Sequence, residues 1–456
     1  MFDTVAAVST PRGKGGIAVI RISGEKTPEI LKKVFCPAGK APWDNPRFAA
    51  FGEIANGDGE VVDTGIATFF ETGKSFTGEA SAEISCHGGI AVTKAVLEAV
   101  FSAGAVPAPA GEFTKRAFIN GKLSLTEAEA VGKLIDADTD SRRKLASGAA
   151  RGKLREKTES VRKELTAILA SLYAVIDYPD EDIGDEGEKN IENVLCHVRE
   201  ELTLLLKTYK TGSAVANGVV TAICGSPNSG KSSLYNLLCG EERAIVTDIA
   251  GTTRDTLWET VDADGITLRI ADTAGIRETG DKIEEMGVER ALSCMESAEL
   301  VITVFDGSRP LSDDDKRIIG SLSEINTPKI SVVNKSDKGI AVEREKIAKV
   351  SDKTVVMSAK TKEGTEELFR AVREVFNEDG LSLTDDALLW DARHKATVEA
   401  SLEKLTQALE GLRRKDPADA VCSLAESALA ELSLLDGRGI TDEIVGEIFS
   451  RFCVGK

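Results

Sequence analysis

Gly225-Ser226-Pro227-Asn228-Ser229-Gly230-Lys231-Ser232 follows an apolar run, 219–224, and precedes a helix-like stretch, 233–239. A strand, a glycine-bearing loop and a helix in that order form a phosphate cradle. Backbone amides and the helix N-terminus point at the anion, Lys231 adds a point charge, and Ser232 offers a hydroxyl to magnesium. Around this loop, residues 218–376 alternate short β-branched runs with helical segments, the pattern of a mostly parallel sheet in an α/β domain. Its strand candidates are 219–224, 268–271, 300–305, 330–333 and 355–357.

Three further elements stand at the ends of those runs. Asp272-Thr273-Ala274-Gly275 places a carboxylate near a magnesium shell and an amide near a γ-phosphate. Asn334-Lys335-Ser336-Asp337 supplies in Asp337 a paired acceptor for guanine N–H groups, which selects GTP over ATP. Ser358-Ala359-Lys360 fits the companion loop behind the base. Four elements in this order define a GTPase domain. Ile276 stands where many GTPases carry a water-orienting glutamine, so another group must position the water. Glu284 and Glu285, in the charged segment 277–289, are the candidates; the same charges also read as a solvated helix face.

Working outward, 456 residues correspond to about three domains. The 75 acidic and 57 basic side chains leave a formal charge of -18, which argues against a chain that coats nucleic acid; an RNA partner would need a local basic patch. No apolar run reaches the ~18 residues of a membrane span, and Met1-Phe2-Asp3-Thr4 lacks the basic start of a secretory signal, so a cytoplasmic protein is expected. Eight cysteines are scattered with no C-x-x-C pair and three histidines, a composition that argues against structural zinc and for buried thiols in a reducing compartment.

Residues 1–120 mix β-rich runs with glycine and proline punctuation and read as an α+β domain. From Leu123 the period becomes helical, with Thr126 and Glu129 as a capping box. Val161, Leu165, Ile168, Leu169, Leu172, Val175 and Ile176 share one face, and Ile191, Val194, Leu195, Val198, Leu202, Leu205 and Leu206 another, across an acidic break at 177–188 that reads as a solvated connection. Helices return after about Thr384 and end in an amphipathic turn, 441–452, whose Val445, Ile448, Phe449 and Phe452 form one apolar face. The economical organisation is 1–120, then a helical domain in two parts (121–217 and 377–456) with the α/β GTPase domain (218–376) inserted between them; two separate helical domains are the alternative.

Several motifs together resemble one family, the tRNA-modification GTPases MnmE (TrmE). The phosphate loop is of its Pro-Asn-x-Gly-Lys-Ser-Ser type through Ser233. The first switch reads Thr247-Asp248-Ile249-Ala250-Gly251-Thr252-Thr253-Arg254-Asp255, and the chain ends Phe452-Cys453-Val454-Gly455-Lys456. Thr10-Pro11, Ile20-Arg21-Ile22-Ser23-Gly24, Ser75-Phe76-Thr77-Gly78-Glu79, His87-Gly88-Gly89 and Gly111-Glu112-Phe113-Thr114 extend the likeness to the first domain.

The resemblance implies a homodimer built through a folate-binding N-terminal domain, with G domains that dimerise across the pair. It implies GTP binding by Asn228 to Ser233, Thr247 to Thr253, Asp272 to Gly275, Asn334, Lys335, Asp337 and Ser358 to Lys360. Magnesium would sit on Ser232 and Thr253, and potassium on Asn228, Thr247, Ile249 and Thr252. Glu284 matches the catalytic glutamate. Arg21, Glu83, Lys122 and Lys456 match a site for a tetrahydrofolate one-carbon carrier, in its 5,10-methylene or 5-formyl form. With the flavoprotein MnmG, which alone holds FAD, in a heterotetramer, such a protein modifies C5 of the wobble uridine of certain tRNAs; the partner would supply much of the basic surface. Cys453 reads equally as a reactive thiolate or a buried thiol fixing the tail. Rival readings are a ribosome-assembly GTPase related to Era or Der and a folate-dependent aminomethyltransferase acting on a protein.

Overall fold

A computed structural model describes residues 3–177, 184–240, 258–271, 295, 298–450 and 452–455. The chain divides into two compact units, Met1–Gly132 with Leu432–Lys456, and Lys133–Glu431.

The first unit is built on a seven-stranded sheet of β1 (Val5–Val8), β2 (Ile17–Ser23), β3 (Phe35–Pro37), β4 (Ala50–Ala55), β5 (Val61–Phe70), β6 (Ser81–His87) and β7 (Val106–Pro107), in the order β3-β4-β5-β6-β2-β1-β7. Strand alternation sorts β2 by face. Ala18, Ile20 and Ile22 share a core with Ile30 and Leu31 of α1 (Thr27–Val34) and Val96 and Val100 of α2 (Ile90–Ser102). Arg21, one residue out of phase, therefore lies on the opposite face. Helices α3 (Glu112–Ile119) and α4 (Leu125–Ile135) follow. The cap of α4 corrects the sequence reading: Ser124 N–H donates to Glu127 Oε2 at 2.6 Å and Glu127 N–H to Ser124 Oγ at 3.3 Å. Ser124 has a glutamate three residues on, as Thr126 does, but the helix begins at Leu125 and leaves Thr126 inside its first turn.

The C-terminal helix, Asp442–Ser450, presents the expected apolar stripe. Val445 and Phe449 are buried with Leu125 and Ala128, and Ile448 and Phe452 pack beside them. Fully burying a side chain such as Phe449 contributes about 1.5–3 kcal/mol. Beyond the helix, Val454 pairs with Ala110 as an antiparallel bridge and Ser9 Oγ donates to Gly455 O at 2.9 Å. Gly455 has φ +96°, and a Cβ there would lie 2.2 Å from Val8 O, so only glycine fits.

The second unit opens with α5 (Asp140–Ala150), α6 (Lys153–Asp177) and α7 (Gly184–Asn217). Leu165, Ile168, Leu169 and Leu172 of α6 and Ile191, Leu195, Val198 and Leu202 of α7 are buried, as the periodicity requires. Helix α7 already begins at Gly184, inside the stretch read as a connection; acidic residues suit a helix N-terminus. Next come β8 (Val219–Gly225), α8 (Lys231–Leu238), β9 (Trp258–Ala263), β10 (Ile266–Ala271), β11 (Leu300–Asp306), α9 (Asp313–Glu324), β12 (Lys329–Asn334), α10 (Arg344–Ala348), β13 (Lys353–Val356) and α11 (Thr365–Phe376). The sheet order is β13-β12-β11-β8-β10-β9. All neighbours are parallel except β9, which runs antiparallel to β10. Strand β9 escaped the sequence reading, although Asp264-Gly265, with φ of +50° and +96°, marks the tight hairpin turn between it and β10.

Helices α12 (Ala392–Arg414) and α13 (Ala418–Ser433) close the unit. The chain leaves the helices at the end of α7 and returns beside it. Thr211 Oγ1 donates to Phe376 O at 2.7 Å, Leu389 N–H to Thr208 Oγ1 at 3.0 Å, and Asn217 Nδ2 to Trp390 O at 3.0 Å. The α/β portion is thus an insertion whose two connections are stitched together.

Candidate nucleotide site and first-domain cluster

The phosphate loop sits at the carboxyl end of β8, where ligands of parallel sheets bind. Asn228 and Gly230 take positive φ, +59° and +101°. A Cβ on Gly230 would lie 2.1 Å from Asn334 Nδ2, so the close approach of two loops excludes any side chain. Lys231 Nζ donates to Ser226 O at 2.8 Å. Burial pushes its ammonium pKa down, against weaker upward pulls from Cys224 and Asp315. Ser229 is fully buried, and among the described residues its hydroxyl has no partner. A half-buried cation with no carboxylate on it among the described residues, and a buried hydroxyl likewise without a described partner, both fit an anionic phosphate.

Four strand ends are tied together around this loop. Asn334 Nδ2 donates to Ser229 O at 3.0 Å while its Oδ1 accepts from Ala359 N–H at 2.9 Å. Lys335 Nζ donates to Asn228 O at 2.6 Å and to Asp306 Oδ2 at 2.7 Å. Ser358 Oγ donates to Asp337 Oδ1 at 2.7 Å, orienting the carboxylate that would face guanine. Ser232, Ser233 and Lys360 are exposed at the rim.

Sequence reasoning missed Asp306 and Arg309. Burial works against the Asp306 charge, but hydrogen bonds from Lys335 and Ser308 override it and hold the carboxyl below the usual range. Arg309 reaches Ser226 Oγ at 3.3 Å and Asp315 Oδ2 at 3.1 Å. The available signal was an aspartate directly after a run, Leu300–Phe305, that is apolar but for Thr303.

In the first unit, antiparallel register sets Arg21 opposite Glu83, with Nη2 2.8 Å from Oε1. The guanidinium also lies 5.7 Å and 5.6 Å from the ring centres of Phe76 and Phe113. Lys122 Nζ donates to Gly73 O at 3.1 Å, on the loop that carries Phe76. Nearby Arg116, 2% exposed, is held by Glu79 and Glu112 at 2.9 and 2.8 Å, a buried network absent from the sequence reading.

Residues 4–122 match the family described as GTP-binding protein TrmE N-terminus, and residues 125–453 that described as MnmE helical domain. The protein named tRNA modification GTPase MnmE in Carboxydothermus hydrogenoformans is 40% identical over 467 residues, covering 100% of both chains. That of Aquifex aeolicus is 39% identical over 459 residues, again covering 100% of each. The chain belongs to the MnmE family of tRNA-modification GTPases. The Acetivibrio thermocellus MnmE is 38% identical over 100% of this chain and 99% of its own. Among solved structures, the G domain of the T. maritima FeoB iron transporter is 27% identical over 34% of this chain and 97% of its own, with a TM-score of 0.26.

Of the residues that the MnmE resemblance singles out, the structure gathers Asn228, Ser229, Gly230, Lys231, Asn334, Lys335, Asp337, Ser358 and Ala359 into one site, and Arg21 with Glu83 into another. Thr247, Asp248, Ile249, Ala250, Gly251, Thr252, Thr253, Asp272, Thr273, Ala274, Gly275, Glu284, Glu285 and Lys456 lie outside the described residues. The cysteine expectation needs correcting. Cys86, Cys224 and Cys422 are buried, whereas Cys36 and Cys453 are exposed and Cys196 and Cys239 are half-buried. The Cys453 thiol is therefore not what fixes the tail; its backbone carbonyl, which accepts from Gly111 N–H at 3.3 Å, does part of that work.

Proposed function

We propose that this chain hydrolyses GTP at the loop 225–232 and uses the resulting change of state to support modification of C5 of the wobble uridine in certain tRNAs. The observation that carries the reading is the junction of phosphate-binding and base-selecting elements through Asn334 and Lys335. Ser232 and Thr253 would hold magnesium, and Asn228, Thr247, Ile249 and Thr252 potassium, whose positive charge would offset charge developing on the phosphates. Glu284 would orient the attacking water.

In this reading the Arg21, Glu83, Lys122 and Lys456 group binds a tetrahydrofolate one-carbon carrier. Arginine layered on two aromatic rings and paired with a carboxylate suits a planar, N–H-rich pterin. The chain would act in the cytoplasm as a homodimer with the flavoprotein MnmG, over domains 1–120, 121–217, 218–376 and 377–456. Among the described residues no helix is long and apolar enough to cross a membrane.

Mass analysis of tRNA nucleosides from a deletion strain tests the function: loss of the modified wobble uridine is expected, and unaltered nucleosides would reject it in favour of a ribosome-assembly or protein-directed activity. Glu284→Ala should keep GTP affinity and lose turnover by at least ~10²-fold; equal turnover rejects the assignment. Rates in potassium should exceed those in sodium at matched ionic strength, and equal rates would remove that cation.

A further inference from the structure

Strands β9 and β10 connect the two segments on which GTP hydrolysis depends. β9 begins at Trp258, just beyond Asp255 of the first switch motif, and β10 ends at Ala271, immediately before Asp272. They pair without a break from Trp258↔Ala271 to Ala263↔Ile266. A six-residue hairpin of this kind is a stiff rod of about 20 Å, so displacement at one end is felt at the other.

Its far end is the turn Asp264-Gly265, braced internally by Gly265 N–H donating to Asp262 Oδ1 at 2.8 Å. This turn is held from two sides. Arg373 of α11 places Nη1 3.3 Å from Asp264 Oδ2. On the helical side, Ser141 of α5 lies close beside Gly265, near enough that an added Cβ would come 3.2 Å from its Oγ, and the bond that joins the hairpin to the helices is Thr267 Oγ1 donating to Val215 O of α7 at 3.5 Å, two residues past the turn. Beside the turn is a cavity of about 250 Å³, lined among others by Lys144, Val215, Arg373 and Asn377.

The Asp264 and Arg373 side chains are 46% and 54% exposed, so their ion pair contributes little to stability. Its consequence is positional. We propose that Asp264 and Arg373 are positioning residues that fasten the β9–β10 turn to α11 at the place where it meets α5 and α7, coupling the helical part of this unit to both switch segments. The inference rests on the GTPase reading above and names the path by which that reading reaches the helices. The coupling should run both ways: nucleotide that moves the hairpin moves α5, and a loosened turn slows hydrolysis, although linkage fixes equal coupling only for binding.

The test uses full-length protein and amide hydrogen exchange with and without a non-hydrolysable GTP analogue, together with steady-state kinetics. In the wild type, the analogue should protect residues 225–234 and change exchange in α5, 140–150, at least ~3-fold. In Arg373→Ala and Asp264→Asn, protection of 225–234 should persist while the α5 response disappears. Turnover should fall about fivefold at unchanged KM, the lower end of typical coupling between sites. Arg373→Lys, which keeps the charge, should retain most of both responses. An α5 that ignores nucleotide in the wild type, or variants that keep both the α5 response and full turnover, would overturn the proposal. A wild type whose phosphate loop itself gains no protection would remove the GTPase reading and this inference with it.

Discussion

Asn334→Ala deletes a side chain that bonds two loops at once. Asn334 is 2% exposed; Nδ2 satisfies the carbonyl of fully buried Ser229, and Oδ1 accepts the half-buried amide of Ala359. Stranding the Ser229 carbonyl costs about 1–3 kcal/mol, and losing the Ala359 bond, whose amide can recruit water, about 0.5–1.5 kcal/mol, giving roughly 1.5–4.5 kcal/mol together. For a domain the size of residues 218–376 that corresponds to a fall in melting temperature of roughly 3–18 °C. Because Ser229 neighbours Gly230 and Lys231, part of the loss must appear as weaker GTP binding, up to ~10²-fold at 1.4 kcal/mol per decade. Circular dichroism melts and titration with a fluorescent GTP analogue read the two effects. Asn334→Asp, which keeps the acceptor for Ala359 but sets a buried carboxylate against the Ser229 carbonyl, should bind GTP no better than the alanine variant. An alanine variant that melts within about 1 °C of the wild type and binds GTP equally would refute the tie between the loops.

Asp262→Asn tests a charge held at a cost. Burial raises its carboxyl pKa above the ordinary 3.8, with Asp264, Asp140 and Asp138 adding to it and the Gly265 N–H opposing. A raised folded-state value favours the protonated fold, so wild-type stability is lost as pH rises through it, and the variant should melt higher at about pH 7 with the gain vanishing near pH 4. An equal difference at both values would contradict the cause. Gly455→Ala, forced into φ +96° and against Val8 O, should lift the tail and speed amide exchange at Val454 at least ~10-fold; unchanged exchange would mean the tail is held otherwise. Arg21→Ala should abolish binding of 5-formyltetrahydrofolate in calorimetry with the circular dichroism spectrum intact, and unchanged affinity would discard the folate assignment.

The sequence by itself determined the features whose chemistry is contiguous. Eight residues, 225–232, carry the phosphate loop because its donors are neighbouring amides and a lysine, and the apolar runs before Asn334 and Ser358 marked strand ends to within a residue or two. The stripe Val445, Ile448, Phe449 and Phe452 likewise announced its helix. Periodicity ran out where two local patterns competed, as with Ser124 and Thr126, or where a strand alternated weakly, as in Trp258–Ala263. Only the tertiary structure decided that Asp306 meets Lys335, that Asn334 bridges to Ser229, that Arg116 is buried among carboxylates and that the tail seats on Val8 and Ala110. Each of these joins residues far apart in the chain. Which strand end lies beside which depends on the packing of whole layers, a quantity that no short window of side chains encodes.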